Sequence, residues 1–305
     1  MYLNCHTYYS LRFGTFSELD LLKLAEAHGV TQLALTDINN TSAGMNFVRK
    51  AQECGIKPIL GIDFRNGVSP CFVGIAKNNE GFMELNAFLS AHLHEEKSIP
   101  QRAPRFKEAY VIYPFEAVLL HELYGFKEHE FIGISVTDLR RLPFSRLREY
   151  KKKLVVLQPV TFRNKRDFNA HRLLRAIDNN TLLSKLPKEE EGDLNEKMFA
   201  IENLAKAFSE YAFILEITRD LMDSCSIYFD FSAEKETQNL NTYTGTQEED
   251  EILIEKLCQE GLPYRYPEAD EAIFNRLEKE LDLIKQKGFV SYFLINWDIV
   301  SEAQK

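Results

Sequence analysis

The chain has 305 residues, of which 45% are hydrophobic and 27% are charged, and its formal net charge is −9. This composition is ordinary for a globular protein with a sizeable core, and the acidic excess argues against a chain that is basic throughout and clamps nucleic acid. No run of about 18 apolar residues predicts a membrane span, and five scattered cysteines without a CxxC pair exclude a disulfide framework and predict a reducing, cytoplasmic setting.

The first 65 residues alternate between strand and helix patterns with a period of about 30 residues. Ser17 is placed as the N-cap of the first helix, with Asp20 completing a weak capping box. Gly29 stands where a left-handed residue would end the first helix, and Gly55 stops the second. The predicted strands cover residues 3–9, 30–36 and 58–64, and the second helix covers 42–54. This alternation predicts βα units with a parallel sheet.

The alternation continues, less regularly, to about residue 225. Further strands are predicted at 71–76, 108–114, 131–136 and 154–157, and further helices at 81–93, from about 115, at 144–150 and at 168–177. About six or seven βα units favour a closed or nearly closed barrel over an open sheet.

The composition changes after residue 230. Residues 234–247 are polar and rich in Thr and Asn, which indicates a linker or extended loop. Three helices are predicted after it, at 248–259, 269–287 and 289–303. The last is apolar on most sides and would need further protein to bury it. We therefore expect the chain to be part of a longer protein.

Several candidate metal ligands follow predicted strands. His6, Asp37 and Asp63 are expected at the ends of the first three strands, and His171 near a later one. In a βα barrel the ends of the strands carry the chemistry, so these side chains could converge on a metal. A lone His or Asp at a strand end is more often a hydrogen-bonded turn residue than a metal ligand. Cys71 is a fifth candidate ligand, but a Cys in such a strand is more often a small buried side chain.

A second candidate is a basic stretch in which Glu149 is the only acidic residue. It comprises Arg140, Arg141, Arg146, Arg148, Lys151, Lys152 and Lys153, and is extended by Arg163, Lys165, Arg166, Arg172 and Arg175. A surface that contacts phosphates and a solvated helix face both explain it.

Stretches along nearly the whole chain resemble one family, in the same order. They are residues 6–11 (HTYYSL), 33–37 (LALTD), 55–61 (GIKPILG), 76–82 (AKNNEGF), 276–281 (RLEKEL), 288–289 (GF) and 292–295 (YFLI). The chain resembles the N-terminal PHP domain of the bacterial DNA polymerase III alpha subunit. The stretches after residue 276 resemble the segment that leads from that domain into the polymerase palm.

The resemblance implies a fold and a domain plan. The fold is a distorted (βα)7 barrel of PHP type followed by a small helical segment. Residues 1–232 would form the barrel, 233–247 a linker, and 248–305 the helical start of the palm region.

The PHP site of this family gathers His, Asp, Glu and Cys ligands around up to three metal ions, and the resemblance implies that much of this set is missing here. His6, Asp37 and His171 match the pattern. The other positions are replaced: Tyr8 and Cys71 stand where His is expected, Ile38 stands in an Asp-His pair, Asp63 replaces Glu, Thr161 replaces His, and Asn169 replaces Asp.

Two-metal phosphoester chemistry needs bridging carboxylates, so we predict a catalytically inactive site. The ligand set leaves room for one weakly held Zn or Mn ion on His6, Asp37, Cys71 and His171.

The resemblance implies DNA-directed DNA polymerase activity for the parent chain, with Mg²⁺ in a palm outside these residues, and a structural role for this barrel. Its partners would be the palm and thumb, DNA through the parent enzyme, and proofreading or sliding-clamp subunits.

Two alternative functions stay open. One is a metal-dependent phosphoesterase, either a 3′–5′ exonuclease or a pyrophosphatase, within the polymerase. The other is an interaction module of an error-prone paralogue.

Overall fold

The structure, a computed structural model, describes residues 1–232 and 242–304. The chain divides into two units, Met1–Phe231 and Ser232–Lys305. Of the predicted linker 233–247, residues 233–241 lie outside the described residues.

The first unit alternates strands and helices. Its strands are β1 (Asn4–Cys5), β2 (Gln32–Leu35), β3 (Lys57–Asn66), β4 (Ser69–Ala76), β5 (Ala109–Pro114), β6 (Glu130–Ile134), β7 (Leu154–Val156) and β8 (Pro159–Val160). Its helices are α1 (Glu18–Ala27), α2 (Gly44–Glu53), α3 (Asn79–His94), α4 (Phe115–Leu120), α5 (Lys165–Asp178), α6 (Ile201–Ala207) and α7 (Ala212–Asp223).

Six strands form one sheet in the order β2-β3-β4-β5-β6-β7, and β1 pairs with β8 in a separate two-stranded sheet. A single bridge between Tyr2 and Leu33 connects the start of the chain to β2. The sheet is curled, and the predicted α/β barrel class followed by helices is confirmed.

The prediction of a parallel sheet is wrong for one strand, because β4 runs antiparallel to both β3 and β5. The reason is local. Asn66 pairs with Ser69 across a two-residue loop that begins with Gly67 at φ +60°. A loop of this length with Gly first joins adjacent antiparallel strands, so no helix is needed between them.

The predicted helix 144–150 is also wrong. The segment consists of short 3₁₀ turns at Asp138–Arg140, Leu142–Phe144, Arg146–Glu149 and Lys151–Lys153. Ser145 has extended backbone (ψ 155°) and separates two of these turns. Leu142 and Leu147 are buried, and their anchoring holds the turns against the unit without a continuous helix.

The sheet is covered on both faces. Along β2, Leu33 and Leu35 enter one hydrophobic cluster, whereas Ala34 enters another. Successive strand residues point to opposite faces, so this alternation means that apolar residues pack on each side. The larger cluster includes Leu21 of α1 and Phe47 of α2, and the smaller one includes Leu221 of α7.

The second unit contains three helices, α8 (Gln247–Arg265), α9 (Glu271–Gln286) and α10 (Val290–Ala303). They confirm the three helices predicted there, with α8 six residues longer at its end than the pattern indicated. Its small core is formed by Ile254, Val290 and Leu294. In the described parts of both units, no helix is long and apolar enough to cross a membrane.

Candidate functional site

The site is centred on His6, which directly follows β1. The backbone N–H of His6 donates to the carbonyl of Val160 at 2.9 Å, so the pairing of β1 with β8 places Thr161 beside the imidazole. Nδ1 of His6 lies 2.9 Å from Thr161 Oγ1, and Nε2 lies 3.0 Å from Asp63 Oδ2. His6 is fully buried, and both of its ring nitrogens have partners.

Asp63 lies inside β3, not at the end of the strand as predicted, because β3 extends to Asn66. Arg65, two residues further along, donates to Asp63 Oδ2 from Nε at 3.0 Å and from Nη2 at 2.7 Å. The Asp63 side chain is 0% exposed and that of Arg65 is 8% exposed. One carboxylate oxygen therefore faces a guanidinium and an imidazole, while Oδ1 is buried without a hydrogen-bond partner.

Two further contacts hold Arg65 in place. Its guanidinium carbon lies 5.0 Å from the centroid of the Phe13 ring, which is a cation–π distance. The side chain of Asn39 donates to the Arg65 carbonyl at 2.8 Å and accepts from its N–H at 3.1 Å. Asn39 adopts φ +46°, a conformation that Asn tolerates better than most residues.

The charges of this pair stabilise each other. Burial alone would raise the pKa of Asp63, but the nearby Arg65 guanidinium and the contact with His6 outweigh it and hold that pKa well below its usual range. Burial alone would lower the pKa of Arg65, and Asp63 reverses this and raises it. Both residues are therefore charged, and each is the main counter-ion of the other.

Asp37 follows β2 and binds backbone and hydroxyl groups of the loop after β1. Oδ1 accepts from the Thr7 N–H at 2.6 Å and from Ser10 Oγ at 2.7 Å, and Oδ2 accepts from Thr7 Oγ1 at 2.8 Å. Burial raises the pKa of Asp37, and these hydrogen bonds offset the effect only in part. Asp37 fixes this loop, and its oxygens are already occupied.

His171 lies on α5, not beside a strand end. Its Nδ1 donates to the Phe13 carbonyl at 2.8 Å, and its Nε2 accepts from the Gly192 N–H at 2.9 Å. Burial lowers the pKa of His171, which agrees with a neutral ring that has one donor and one acceptor nitrogen. The Phe13 ring packs edge-on against both His171 (4.5 Å between centroids) and His6 (6.1 Å), so an apolar ring occupies the space beside the two histidines.

Cys71 is fully buried in the larger hydrophobic cluster. Its Sγ lies 3.4 Å from Asn66 Nδ2 and 3.8 Å from the Ile99 carbonyl. Burial raises the pKa of the thiol, whereas a metal ligand must be a thiolate.

Of the four remaining predicted positions, one side chain lies inside the network and three side chains lie outside it. Thr161 Oγ1 donates to Glu196 Oε2 at 2.6 Å, which extends the network from His6 to the loop after α5. Tyr8 is 46% exposed, and its ring lies tilted against that of Tyr9 with 4.9 Å between centroids. Asn169 is exposed on α5. The side chain of Ile38 forms no hydrogen bond, and only its backbone N–H reaches the network, where it donates to Ser10 Oγ at 2.9 Å.

The donor atoms do not fit a metal cluster as they are arranged. Within residues 1–232 and 242–304, no group of three or more His, Cys, Asp and Glu side chains is placed to hold a metal ion. The nitrogens of His6 and His171 and the oxygens of Asp37 are engaged by protein groups, and Arg65 brings a positive charge to Asp63. The network positions loops well, but it offers no set of open coordination positions for a substrate or water.

A cavity of about 260 Å³ lies next to this network. Phe13 and Arg65 reach it, and residues 189–193, 195 and 196 form part of its wall. Two acidic residues of this wall form ion pairs with α5: Glu190 with Arg175, and Glu191 with Arg172.

Three functional residues were missed from the sequence: Arg65, Phe13 and Glu196. A signal existed for Arg65, because residues at i and i+2 of a strand share a face and Arg65 is two residues from Asp63. Phe13 lies in a loop with no period, and Glu196 lies 35 residues from Thr161, so no spacing rule connects either to the site.

Comparison with known families gives two matches. Residues 3–220 match the PHP domain family. Residues 252–305 match the family described as the bacterial DNA polymerase III alpha NTPase domain.

Curated relatives match the chain along its whole length. It is 25% identical to a DNA polymerase III subunit alpha of Bacillus subtilis, with 100% of this chain and 30% of the relative covered. It is 27% identical to an error-prone DNA polymerase of Symbiobacterium thermophilum (100% and 32% covered) and 23% identical to a DNA polymerase III subunit alpha of Escherichia coli K12 (98% and 30% covered). The chain thus spans about a third of the length of the curated relatives it matches.

Proposed function

The chain belongs to the PHP domain family, and from this premise we propose that it forms the PHP barrel and the start of the following region of a DNA polymerase III alpha-type enzyme, in which the barrel has a structural role. The match of residues 252–305 to the bacterial DNA polymerase III alpha family follows the PHP match of residues 3–220 along the chain and supports this placement. The polymerase activity, its Mg²⁺ and its DNA would belong to the longer protein.

One observation carries the structural role: the buried ion pair of Asp63 and Arg65. In a hydrolytic metal site, a carboxylate at this position would balance the charge of a metal ion that activates water. Here the guanidinium donates two hydrogen bonds to the carboxylate. A guanidinium has no open coordination position and does not acidify a bound water, so it replaces the charge of an ion without its chemistry.

The other contacts of the site support the same role. Asp37 fixes the loop of Thr7 and Ser10, His171 connects Phe13 to Gly192, and Thr161 connects His6 to Glu196. Each side chain joins segments that are distant in the sequence. A stable barrel of this kind would support the palm and thumb and offer a surface to a proofreading or sliding-clamp subunit in the cytoplasm. The predicted boundaries 1–232, 233–247 and 248–305 are part of this proposal.

Metal content and hydrolysis test the proposal directly. The purified chain, dialysed against ZnCl₂ or MnCl₂, should retain less than one ion per chain by mass spectrometry of the metals. It should also not hydrolyse bis(p-nitrophenyl) phosphate or pyrophosphate above the blank. Two or more retained ions together with hydrolysis that EDTA abolishes would establish the phosphoesterase alternative instead.

The full-length enzyme tests the supporting role. Arg65→Met in the complete polymerase should lower its DNA polymerase activity or its soluble yield, because the barrel loses its central counter-ion. Arg12→Met is the matched control, since Arg12 pairs with Asp178 at the surface, where it is 61% exposed. Unchanged activity and yield in the Arg65→Met enzyme would contradict a supporting role for the barrel.

A further inference from the structure

The segment of 3₁₀ turns at residues 138–153, here called the basic segment, is not explained by the buried network. It contains seven cationic side chains and, at its surface, the acidic Glu149. Its second acidic residue, Asp138, is held by Ser135, with 2.9 Å between Ser135 N and Asp138 Oδ2. We propose that the basic segment and Phe144 form a binding surface for single-stranded DNA.

Three of the seven cations of the basic segment are engaged by other groups of the chain. Arg141 pairs with Glu116. Lys153 is held by backbone carbonyls, including that of Glu128 at 3.0 Å, and Arg148 donates to the Pro143 carbonyl at 2.9 Å.

Among the described residues, four of the seven cations have neither an ion pair nor a side-chain hydrogen bond: Arg140, Arg146, Lys151 and Lys152. All four side chains are exposed. In a chain with a net charge of −9, such a local concentration of positive charge attracts a polyanion to this surface and not to the remainder of the chain.

Phe144 gives the surface its second property. It is 92% exposed, and it lies in the same groove as Arg140 and Arg146. This groove has a volume of about 450 Å³ and also contains Phe115, Leu119 and the half-exposed Tyr124. An aromatic ring that projects between guanidinium groups can stack on an unpaired base while the arginines bind the neighbouring phosphates.

The combination of exposed cations and an exposed aromatic ring favours single-stranded DNA over duplex DNA and acidic peptides. Duplex DNA keeps its bases stacked inside, so its backbone would use the cations and leave Phe144 without a partner. An acidic peptide would also use the cations but has no flat ring system at each repeat. The choice of DNA over RNA rests on the polymerase setting proposed above, whereas the surface itself rests on the charges and the ring.

The test measures equilibrium binding of fluorescein-labelled dT20 by anisotropy, with the 305-residue chain in EDTA, so the result does not depend on whether the barrel hydrolyses phosphoesters. Arg140→Ala, Arg146→Ala, Lys151→Ala and Lys152→Ala together should weaken binding about tenfold or more. They should also reduce the slope of log affinity against log salt by about 3, because each phosphate contact contributes about 0.7.

The matched control removes two arginines and two lysines elsewhere: Arg166→Ala, Arg219→Ala, Lys185→Ala and Lys206→Ala. These side chains are exposed and the net charge changes equally, so the affinity should change less than about twofold. Equal weakening by both variants would show a general charge effect and would overturn the proposal.

Phe144→Ala separates the ring from the charges. Loss of one stacked base should weaken dT20 binding about 5- to 100-fold and leave the salt slope unchanged. Since the ring is almost fully exposed, the melting temperature should stay at the wild-type value, which excludes unfolding as the cause. Absence of dT20 binding, insensitivity to Phe144→Ala, or equal affinity for poly-glutamate would each overturn the proposal, the last in favour of an acidic protein partner.

Discussion

Asp63 and Arg65 are two residues apart on β3, and this spacing alone places both side chains on one face of the strand. The ion pair was therefore predictable from the sequence, although an arginine is not a metal ligand and the ligand pattern does not include it. Asp37 and His6 were predicted as site residues and do lie beside strand ends. Thr161 was among the site positions that the family resemblance implied, whereas Glu196 was not predictable, because it reaches Thr161 only through the loop after α5.

Arg65→Met should destabilise the chain strongly. Removal of one partner of a buried pair leaves an uncompensated charge on Asp63 and costs about 3–5 kcal/mol of the free energy of unfolding. Addition of Asp63→Asn should recover most of this loss. Urea unfolding at pH 7 measures both.

The control for this series is Arg12→Met. Its exposed ion pair with Asp178 should contribute less than about 1 kcal/mol. Equal losses for Arg12→Met and Arg65→Met would mean that burial does not decide the strength of the central pair.

A second buried carboxylate should make stability depend on pH. Glu130 is 1% exposed and accepts from the Lys127 N–H at 2.7 Å, from Tyr113 Oη at 3.1 Å and from Arg102. Burial alone would raise the pKa of Glu130, but these hydrogen bonds outweigh it and lower the pKa below its ordinary value of 4.5. The folded state thus favours the charged form, and the stabilisation is complete above about pH 4.5 and is lost as the pH falls through the lowered pKa.

Glu130→Gln should accordingly cost about 1–3 kcal/mol at pH 7, and the difference from wild type should shrink below pH 4.5. Thermal unfolding across pH 3–7 measures this, with Glu149→Gln at the exposed surface as the control. A difference that stays constant down to pH 3 would disprove the assigned ionisation.

At the scale of elements, residues that cap helices or form tight turns are reliable indicators of local structure. Hydrophobic patterns are less reliable indicators of whether neighbouring strands pair parallel or antiparallel. Ser17 caps α1 as expected, accepting from the Asp20 N–H at 3.1 Å. Gly29 has the expected positive φ, and Gly55, which was expected to stop the second helix, follows α2 with a positive φ as well. The antiparallel direction of β4 was not predicted. The Asn66-Gly67 turn indicates a hairpin, whereas the regular alternation of strands and helices indicates parallel pairing. The 3₁₀ segment was missed because seven residues of helical pattern do not form a helix when an extended Ser145 interrupts them.

The junction of β4 and α3 depends on one glycine. A Cβ at Gly81 would lie 1.8 Å from the Glu108 carbonyl oxygen, so the first turn of α3 can approach the start of β5 only without a side chain. Gly81→Ala should cost about 3 kcal/mol of the free energy of unfolding, because backbone atoms must move.

Gly55→Ala is the comparison for Gly81→Ala. No atom lies within 4 Å of a Cβ at Gly55, and only its φ of +67° opposes alanine, which costs about 1–2 kcal/mol. Urea unfolding should rank Gly81→Ala as the more damaging change, and the opposite order would show that the contact with Glu108 relaxes freely.

At the scale of the whole chain, the second unit leaves apolar surface exposed on α10. Tyr292, Ile295, Trp297 and Ile299 are between 42% and 63% exposed, whereas Leu294 is buried in the small core. The sequence predicted that this helix needs a covering surface, and the curated relatives are about three times as long as this chain.

Ile295→Gln with Ile299→Gln should reduce binding of the dye ANS and self-association in sedimentation velocity, because the pair shares one face of the helix. The melting temperature should not fall, since neither residue is buried. Leu11→Gln, at an isolated leucine that is 72% exposed, should change neither property. A lowered melting temperature in the double variant would mean that α10 already packs through this face.

The buried guanidinium of Arg65 has one more consequence. A metal ion must be acquired from the cell and can be withdrawn by a chelator or exchanged for a competitor, whereas Arg65 is synthesised as part of β3 and is present once in each chain. We therefore expect this barrel to fold at any supply of zinc or manganese. Its folding would then depend on synthesis of the chain and not on uptake of a metal, which suits the supporting role proposed above.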